Sequence, residues 1–153
     1  MMPTVSARMD VPKARAALAG FRGALAPEML STGRTVAAYA AGQIVGRVEG
    51  HGPNIRRVDT HRYASSWAQA GSMASGRQVG DETAAQPGDG YGDVAESGNV
   101  VVVVLESEVH YGTELEFGTP TMVAGFHIQS TADETDRHAA EFLDRAIRAA
   151  WGS

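Results

Sequence analysis

Asn99-Val100-Val101-Val102-Val103-Val104-Leu105-Glu106-Ser107-Glu108-Val109 is the stretch on which the fold turns. Its valine-rich run is of strand length and too short for a helix of ordinary size. Apolar residues follow one another without polar alternation as far as Leu105, which predicts a strand buried on both faces. By strand alternation Glu106 and Glu108 share a face. They read as a solvated acidic edge, a common guard against pairing with another chain.

Working outward, Tyr111 to Gly118 reads as a turn or short helix, and Met122 to Ile128 as a further short strand. Beyond it, Ser130 and Thr131 precede Asp133 and Glu134 in a capping-box arrangement. Ala139, Phe142, Leu143, Ala146, Ile147 and Ala150 then recur at helical spacing, giving a C-terminal helix over 130–151.

Upstream of the valines, Gly80 to Gly98 is rich in glycine and acids and reads as a flexible loop, either a long hairpin tip or a mobile insertion. Ser66 to Val79 is predicted as a strand weakened by glycine. Asp59 or Thr60 is placed to cap a short helical turn before it. The region 10–50 is helical. Ala14, Ala17, Leu18, Phe21 and Leu25 form one stripe, with Asp10 as cap and Pro12 in the first turn. Pro27 is expected to kink or restart the helix. Leu30, Ala37, Ala40, Ala41, Ile44 and Val48 form an alanine-lined second stripe, ended by Gly50 and the Gly52-Pro53-Asn54 turn. The expectation is one domain over 1–153 of the α+β class. N-terminal helices and a C-terminal helix pack on a small, mostly antiparallel sheet in a β-rich region 58–128, with the mobile loop at 80–98.

Composition bounds the function. The chain has 153 residues, 43% hydrophobic and 20% charged, which suits a folded domain and not a disordered segment. It has no cysteine, so thiolate metal sites and disulfides are excluded. No apolar run is long enough to span a bilayer, and Met1 to Asp10 lacks a signal pattern. The net charge of −5 is unevenly spread. Residues 1–80 hold ten Lys and Arg against four Asp and Glu, and residues 81–153 hold three Arg against fourteen acids. Such a division suits two complementary surfaces on identical subunits, or simply an uneven solvated surface.

No pattern demands catalysis. His51, His61, His110, His127 and His138 form neither HExxH nor paired helical spacing, so no metal site is expected. A cluster of Asp59, His61 and His110 is the hydrolase or nuclease alternative. Gly88-Asp89-Gly90-Tyr91-Gly92-Asp93 superficially suggests a phosphate or calcium loop. It lacks the Lys-Ser/Thr of a P-loop and the closing Glu of an EF-hand, which leaves a flexible turn. Arg56, Arg57 and Arg62 form a basic cluster without the interleaved aromatics of a nucleic-acid site. No catalytic residue and no cofactor are expected.

Two segments carry a family resemblance. Asp59-Thr60-His61-Arg62-Tyr63-Ala64-Ser65-Ser66-Trp67 resembles the box D-T-G-R-L-x-x-S, ending in Trp or Ile, of the tail-completion or neck proteins of long-tailed phages. Tyr111-Gly112-Thr113-Glu114-Leu115-Glu116-Phe117-Gly118-Thr119 is similar to that family's second box, Y-A-x-x-x-E, then Phe or Tyr, then G-T. The boxes stand in the family's order. His61 replaces a glycine of the first box, and the family's proline and arginines near Phe126 are missing.

The resemblance implies a non-enzymatic virion protein in the head–tail junction, with assembly in the host cytoplasm. It forms a ring, commonly a hexamer, that completes or terminates the tail and docks it to the head. The implied partners are further copies of itself, a head connector, adaptor or stopper protein, and the tail-tube protein. DNA would be only passing cargo in an acidic lumen, and no membrane is involved. The alternatives are the hydrolase or nuclease above and a cellular oligomeric binding module. Within the resemblance the motif residues are Asp59, Thr60, Arg62, Ser66, Trp67, Tyr111, Glu116, Phe117, Gly118 and Thr119. Tyr111 and Phe117 are expected to anchor the turn on the core, with Trp67 in the core. Gly118 is expected in a conformation that favours glycine, and Glu116 is expected to pair with Arg62 within or between subunits.

Overall fold

A computed structural model describes residues 11–50, 60–97, 100–121 and 124–152. The elements are α1 (Val11–Gly50), α2 (Thr60–Ser75), β1 (Gly90–Ser97), β2 (Val100–Ser107), α3 (Gly112–Phe117) and α4 (His127–Gly152). The class is α+β: the helices pack around one antiparallel pair of strands, in register from Gly90 opposite Ser107 to Ser97 opposite Val100.

α1 runs unbroken through Pro27, so the expected restart does not occur. Proline leaves the Gly23 carbonyl without its helical donor. Both Gly23 and Pro27 are exposed, so water can take that carbonyl, and the flanking Ala, Leu and Met are good helix formers. At 1.5 Å per residue the helix is about 60 Å long.

The strand expected from Ser66 to Val79 is instead most of α2. Burial is continuous from Tyr63 to Ala68 and includes Ala70, Gly71 and Ala74, a pattern that no strand alternation gives. Gly71 marks a close helix crossing, since a Cβ there would lie 2.3 Å from Cβ of Ala41 on α1. The alanine-lined face of α1 therefore meets an alanine-lined α2. The Asp59 cap, the 52–54 turn, Asp10, Arg56 and Arg57 lie outside the described residues.

The expected loop 80–98 is also corrected. Irregular chain ends at Asp89, and Gly90 to Ser97 form β1. Glycine is required here by approach, not by flexibility. A Cβ on Gly90 would lie 2.0 Å from the Ser66 carbonyl oxygen, and one on Gly92 1.9 Å from that of Ala70. β1 thus lies directly on the backbone of α2.

β2 is the valine strand, but it is covered on one face rather than two. Val101 and Val103 turn toward Gly33 of α1 and Leu105 packs on the core, while Val100 and Val102 are exposed. A two-stranded sheet has too few layers around it to cover both faces. The core itself gathers Ile44, Val45 and Val48 of α1, Tyr63, Ala64, Trp67 and Ala68 of α2, and Val109 and Leu115.

α4 begins at His127, so the strand expected at 122–128 is not formed in its described part, and Ser130 and Thr131 lie inside the helix. The chain before it is tied to α3 instead: the Gly125 N–H donates to the Leu115 carbonyl and the Phe126 N–H to that of Glu116. α4 runs antiparallel to α1. Near one end Tyr39 and Arg47 both donate to Glu134, and at the other Phe21 meets Trp151 edge-on at 5.1 Å. Phe142, Ala146 and Ala150 are buried, whereas Leu143 and Ile147 of the expected stripe are exposed. Among the described residues no helix is long and apolar enough to cross a membrane.

Candidate functional site

The two sequence boxes meet. Tyr63 projects from α2 onto the start of α3, where Gly112 is pressed so closely that a Cβ would lie 2.8 Å from the Tyr63 ring. One turn further along α3, Glu116 is buried, only 4% exposed. Its Oε1 accepts from the Tyr63 hydroxyl at 3.3 Å and lies 3.0 Å from Nδ1 of His127. Its Oε2 accepts from the Ile128 backbone N–H at 3.0 Å. A carboxylate only accepts, so Nδ1 of His127 carries the proton in this contact. One side chain thereby ties α2, α3 and the first turn of α4, whose positive dipole end favours the negative charge.

The electrostatics follow from that geometry. Burial is the largest single influence on the Glu116 carboxyl and works to raise its pKa. His127, the Ile128 N–H and the Tyr63 hydroxyl together outweigh it, holding the pKa below the ordinary glutamate value. Burial pushes the Tyr63 phenol up; Trp67 opposes this, and the adjacent Glu116 charge adds to it. Tyr63 therefore stays a protonated donor.

Arg62 is not paired with Glu116 within the chain. Its guanidinium grips Asp89, Nε to Oδ2 at 2.7 Å and Nη2 to Oδ1 at 2.8 Å, and reaches Oε1 of Gln86 at 3.2 Å. Asp89 also accepts the Gln86 backbone N–H. The Arg62 hydrogen bonds lead in holding the Asp89 carboxyl below its usual range. This fork pins the chain where it enters β1, so the apparent phosphate or calcium loop is an ion-paired turn followed by a strand laid on a helix.

Other motif residues divide between inside and outside. Ser66 donates from Oγ to the Tyr63 carbonyl at 2.7 Å and shares a 2.7 Å bond with Oγ of Ser107, joining α2 to β2. Trp67 is in the core, edge-on to Tyr63 at 6.0 Å. Tyr111 packs on the core cluster as expected. Phe117 does not: it is 70% exposed, because Leu115 and Glu116 take the inward face of the short helix. Gly118 has φ 77° and ψ −179°, a region essentially closed to other residues. Thr119 is at the surface, its Oγ1 accepting from the Thr121 N–H. Asp59 and the Thr60 side chain lie outside what is described.

Above the buried network is a cleft of about 380 Å³ lined by Tyr63, Trp67, Glu106, Glu108, Thr113, Phe117 and Ile128, among others. Its rim is acidic and its outer wall apolar, a combination that suits a protein side chain of positive charge. The Glu116 oxygens beneath it already have partners. Among the described residues no three His, Asp or Glu side chains are grouped to hold a metal. Of the hydrolase constellation, His61 lies 3.5 Å from Asp81, and His110 is edge-on to Tyr111 at 5.0 Å.

His127, Asp89 and Tyr63 were not singled out from sequence. Asp89 sits in a glycine-rich run that disguises it, and His127 follows a positive-φ residue, Phe126, that no local pattern announces. Tyr63 alone carried a signal, since it lies inside the first box.

No family model, no curated protein and no solved structure matches the chain.

Proposed function

We propose that this chain is a structural subunit of a phage neck, assembling into a ring at the head–tail junction that completes or terminates the tail and docks it to the head. The observation that carries the reading is the contact between the two boxes on which the resemblance rests. Tyr63 and Glu116, 53 positions apart, share a buried hydrogen bond, so the boxes act as one structural unit. A buried unit whose two Glu116 oxygens are both engaged by neighbouring helices suits a scaffold more than a reacting centre.

The surroundings support assembly. The exposed Phe117 and Ile128 lie beside the exposed acids Glu106, Glu108 and Glu114. Arg15, Arg22 and Arg34 are exposed on α1. Two patches of unlike character are what a closed head-to-tail ring needs. The ring role thus moves from Glu116, which holds the patch in shape, to Phe117, which forms it.

Electron microscopy of the purified chain, alone and with the products of neighbouring genes, tests the proposal. Rings with an open lumen, and portal, capsid and tail-tube genes beside this one, are the expected result. A chain that never assembles, encoded among genes of cellular metabolism, contradicts it.

A further inference from the structure

The hairpin leaves one strand edge open. The Glu108 N–H donates to the carbonyl of Asp89, the next residue opposite it beyond Gly90 and Ser107, which makes these two a hydrogen-bonded pair. The register then runs without a bulge to Ser97 opposite Val100. Hydrogen-bonded pairs alternate along an antiparallel ladder. Glu106, Val104, Val102 and Val100 therefore bond β1, and the N–H and C=O groups of Val101, Val103 and Leu105 point away from it. Among the described residues β1 is the only strand beside β2, and no other backbone group bonds these three.

The two edges of the hairpin differ. On β1 the Gly90 N–H, which points away from β2, is taken by Oε1 of Gln69, and Gly92 is pressed on the Ala70 carbonyl, so α2 closes the start of that edge. Under β2, α1 and the core meet the inward side chains of Val101, Val103 and Leu105 and leave the edge itself bare. Proteins guard such an edge with lysine, proline, a bulge or a charge in mid-strand. From Val100 to Leu105 there is none of these. Glu106 and Glu108 guard only the end nearest α3.

A bare edge binds extended backbone, and the side chains beside it choose the strand. We propose that the occupant is β2 of a second copy of this chain, antiparallel about a two-fold axis at Val103, giving a four-stranded sheet across two subunits. Val101 of each copy then stands opposite Leu105 of the other, and Val103 opposite Val103, so the outward N–H and C=O groups of all three gain partners. On the outward face Val102, 42% exposed, meets Val104 of the other copy, a favourable β-branched pair. Charge fixes the direction. Glu106 comes opposite Val100, and the two Glu106 carboxylates stand about 20 Å apart, beyond the screening length. A parallel pairing would set them side by side. The contact goes beyond the neck reading, since it uses neither Phe117 nor the arginines of α1.

Sedimentation of the Phe117→Ser chain, with the proposed ring surface disabled, isolates this contact. A reversible monomer–dimer equilibrium is expected. Val102→Lys with Val104→Lys sets like charges opposite each other at both outward pairs and should weaken the dimer at least about tenfold. Val102→Glu with Val104→Lys sets unlike charges there and should spare it. Val103→Pro removes an N–H that β1 does not use, so circular dichroism should show the fold kept while the dimer is lost. Amide exchange reads the edge without any of these changes. Protection at Val101, Val103 and Leu105 should rise with protein concentration, while Val102 and Val104, already bonded to β1, stay protected throughout. Fast exchange at the three outward amides at every concentration overturns the proposal, and so does a dimer that the paired lysines leave intact. A chain that stays monomeric and gains this protection only from a strand of another protein overturns it too. Each of these results leaves the ring reading to be judged separately on the chain with Phe117 intact.

Discussion

Glu116 has its carboxylate held by three groups from two other helices, and removing it leaves the Tyr63 hydroxyl, His127 Nδ1 and the Ile128 N–H without their acceptor. Glu116→Ala should therefore cost about 3 kcal/mol, read as a lowered denaturant midpoint, with no compensating gain from the smaller side chain. The pH dependence has a definite sign. A carboxyl held below its ordinary value contributes stability that is whole above about pH 4.5 and lost as pH falls through the lower, folded value. Acid unfolding followed by circular dichroism should show this loss, and Glu116→Gln should flatten it; an unchanged acid limb would remove the assigned role. Asp89 behaves with the same sign, held down by Arg62. Arg62→Lys keeps the charge but loses the two-pronged geometry. It should loosen the connection from Gly76 to Asp89, costing about 2 kcal/mol, with faster amide exchange in that segment. At this scale the sequence showed that Glu116 and Arg62 were polar anchors but not their partners. Partner choice depends on which turn of α2 faces which strand, and no local pattern encodes that.

Among the elements, helices announced themselves by period and strands by composition, and the errors arose where the two disagreed. Residues 66–75 are helical, with Ser66, Trp67, Ala68, Ala70, Gly71 and Ala74 buried, but glycine and serine masked the helix. Gly90 and Gly92 looked like loop residues because glycine usually signals freedom; here it signals contact with the α2 backbone. Gly92→Ala is the direct check. A methyl group 1.9 Å from the Ala70 carbonyl oxygen cannot be housed without separating β1 from α2. The variant should lose about 2–3 kcal/mol, whereas the same change at the uncrowded Gly46 should be neutral or stabilising. Equal effects at both positions would show that close packing is not why Gly92 is glycine. The valine strand is a strand as expected but is not doubly covered, because continuous hydrophobicity does not report how many layers the fold stacks on it.

For the whole molecule, the apolar surface left open by the fold matters more than the surface it closes. Phe117, Trp151, Leu18 and Val100 are each more than half exposed, and they lie at the two ends of α4, on α1 and at the hairpin tip. Such placement suits the proposed assembly, in which a neighbouring copy would cover part of it. Phe117→Ser should accordingly leave the unfolding midpoint within about 0.5 kcal/mol of the parent chain and yet abolish ring formation. The proposal of assembly draws on the charge division and the two boxes of the sequence. The sequence could not show which aromatic of the second box faced outward, since six residues of helix leave that to the packing of Leu115 and Glu116. The most direct measurement of the central claim is the particle mass of the purified chain by mass photometry, with and without Phe117→Ser. A discrete closed oligomer that the substitution reduces to smaller species is the predicted result, and a monomer in both samples, or an oligomer that the substitution leaves intact, would contradict it.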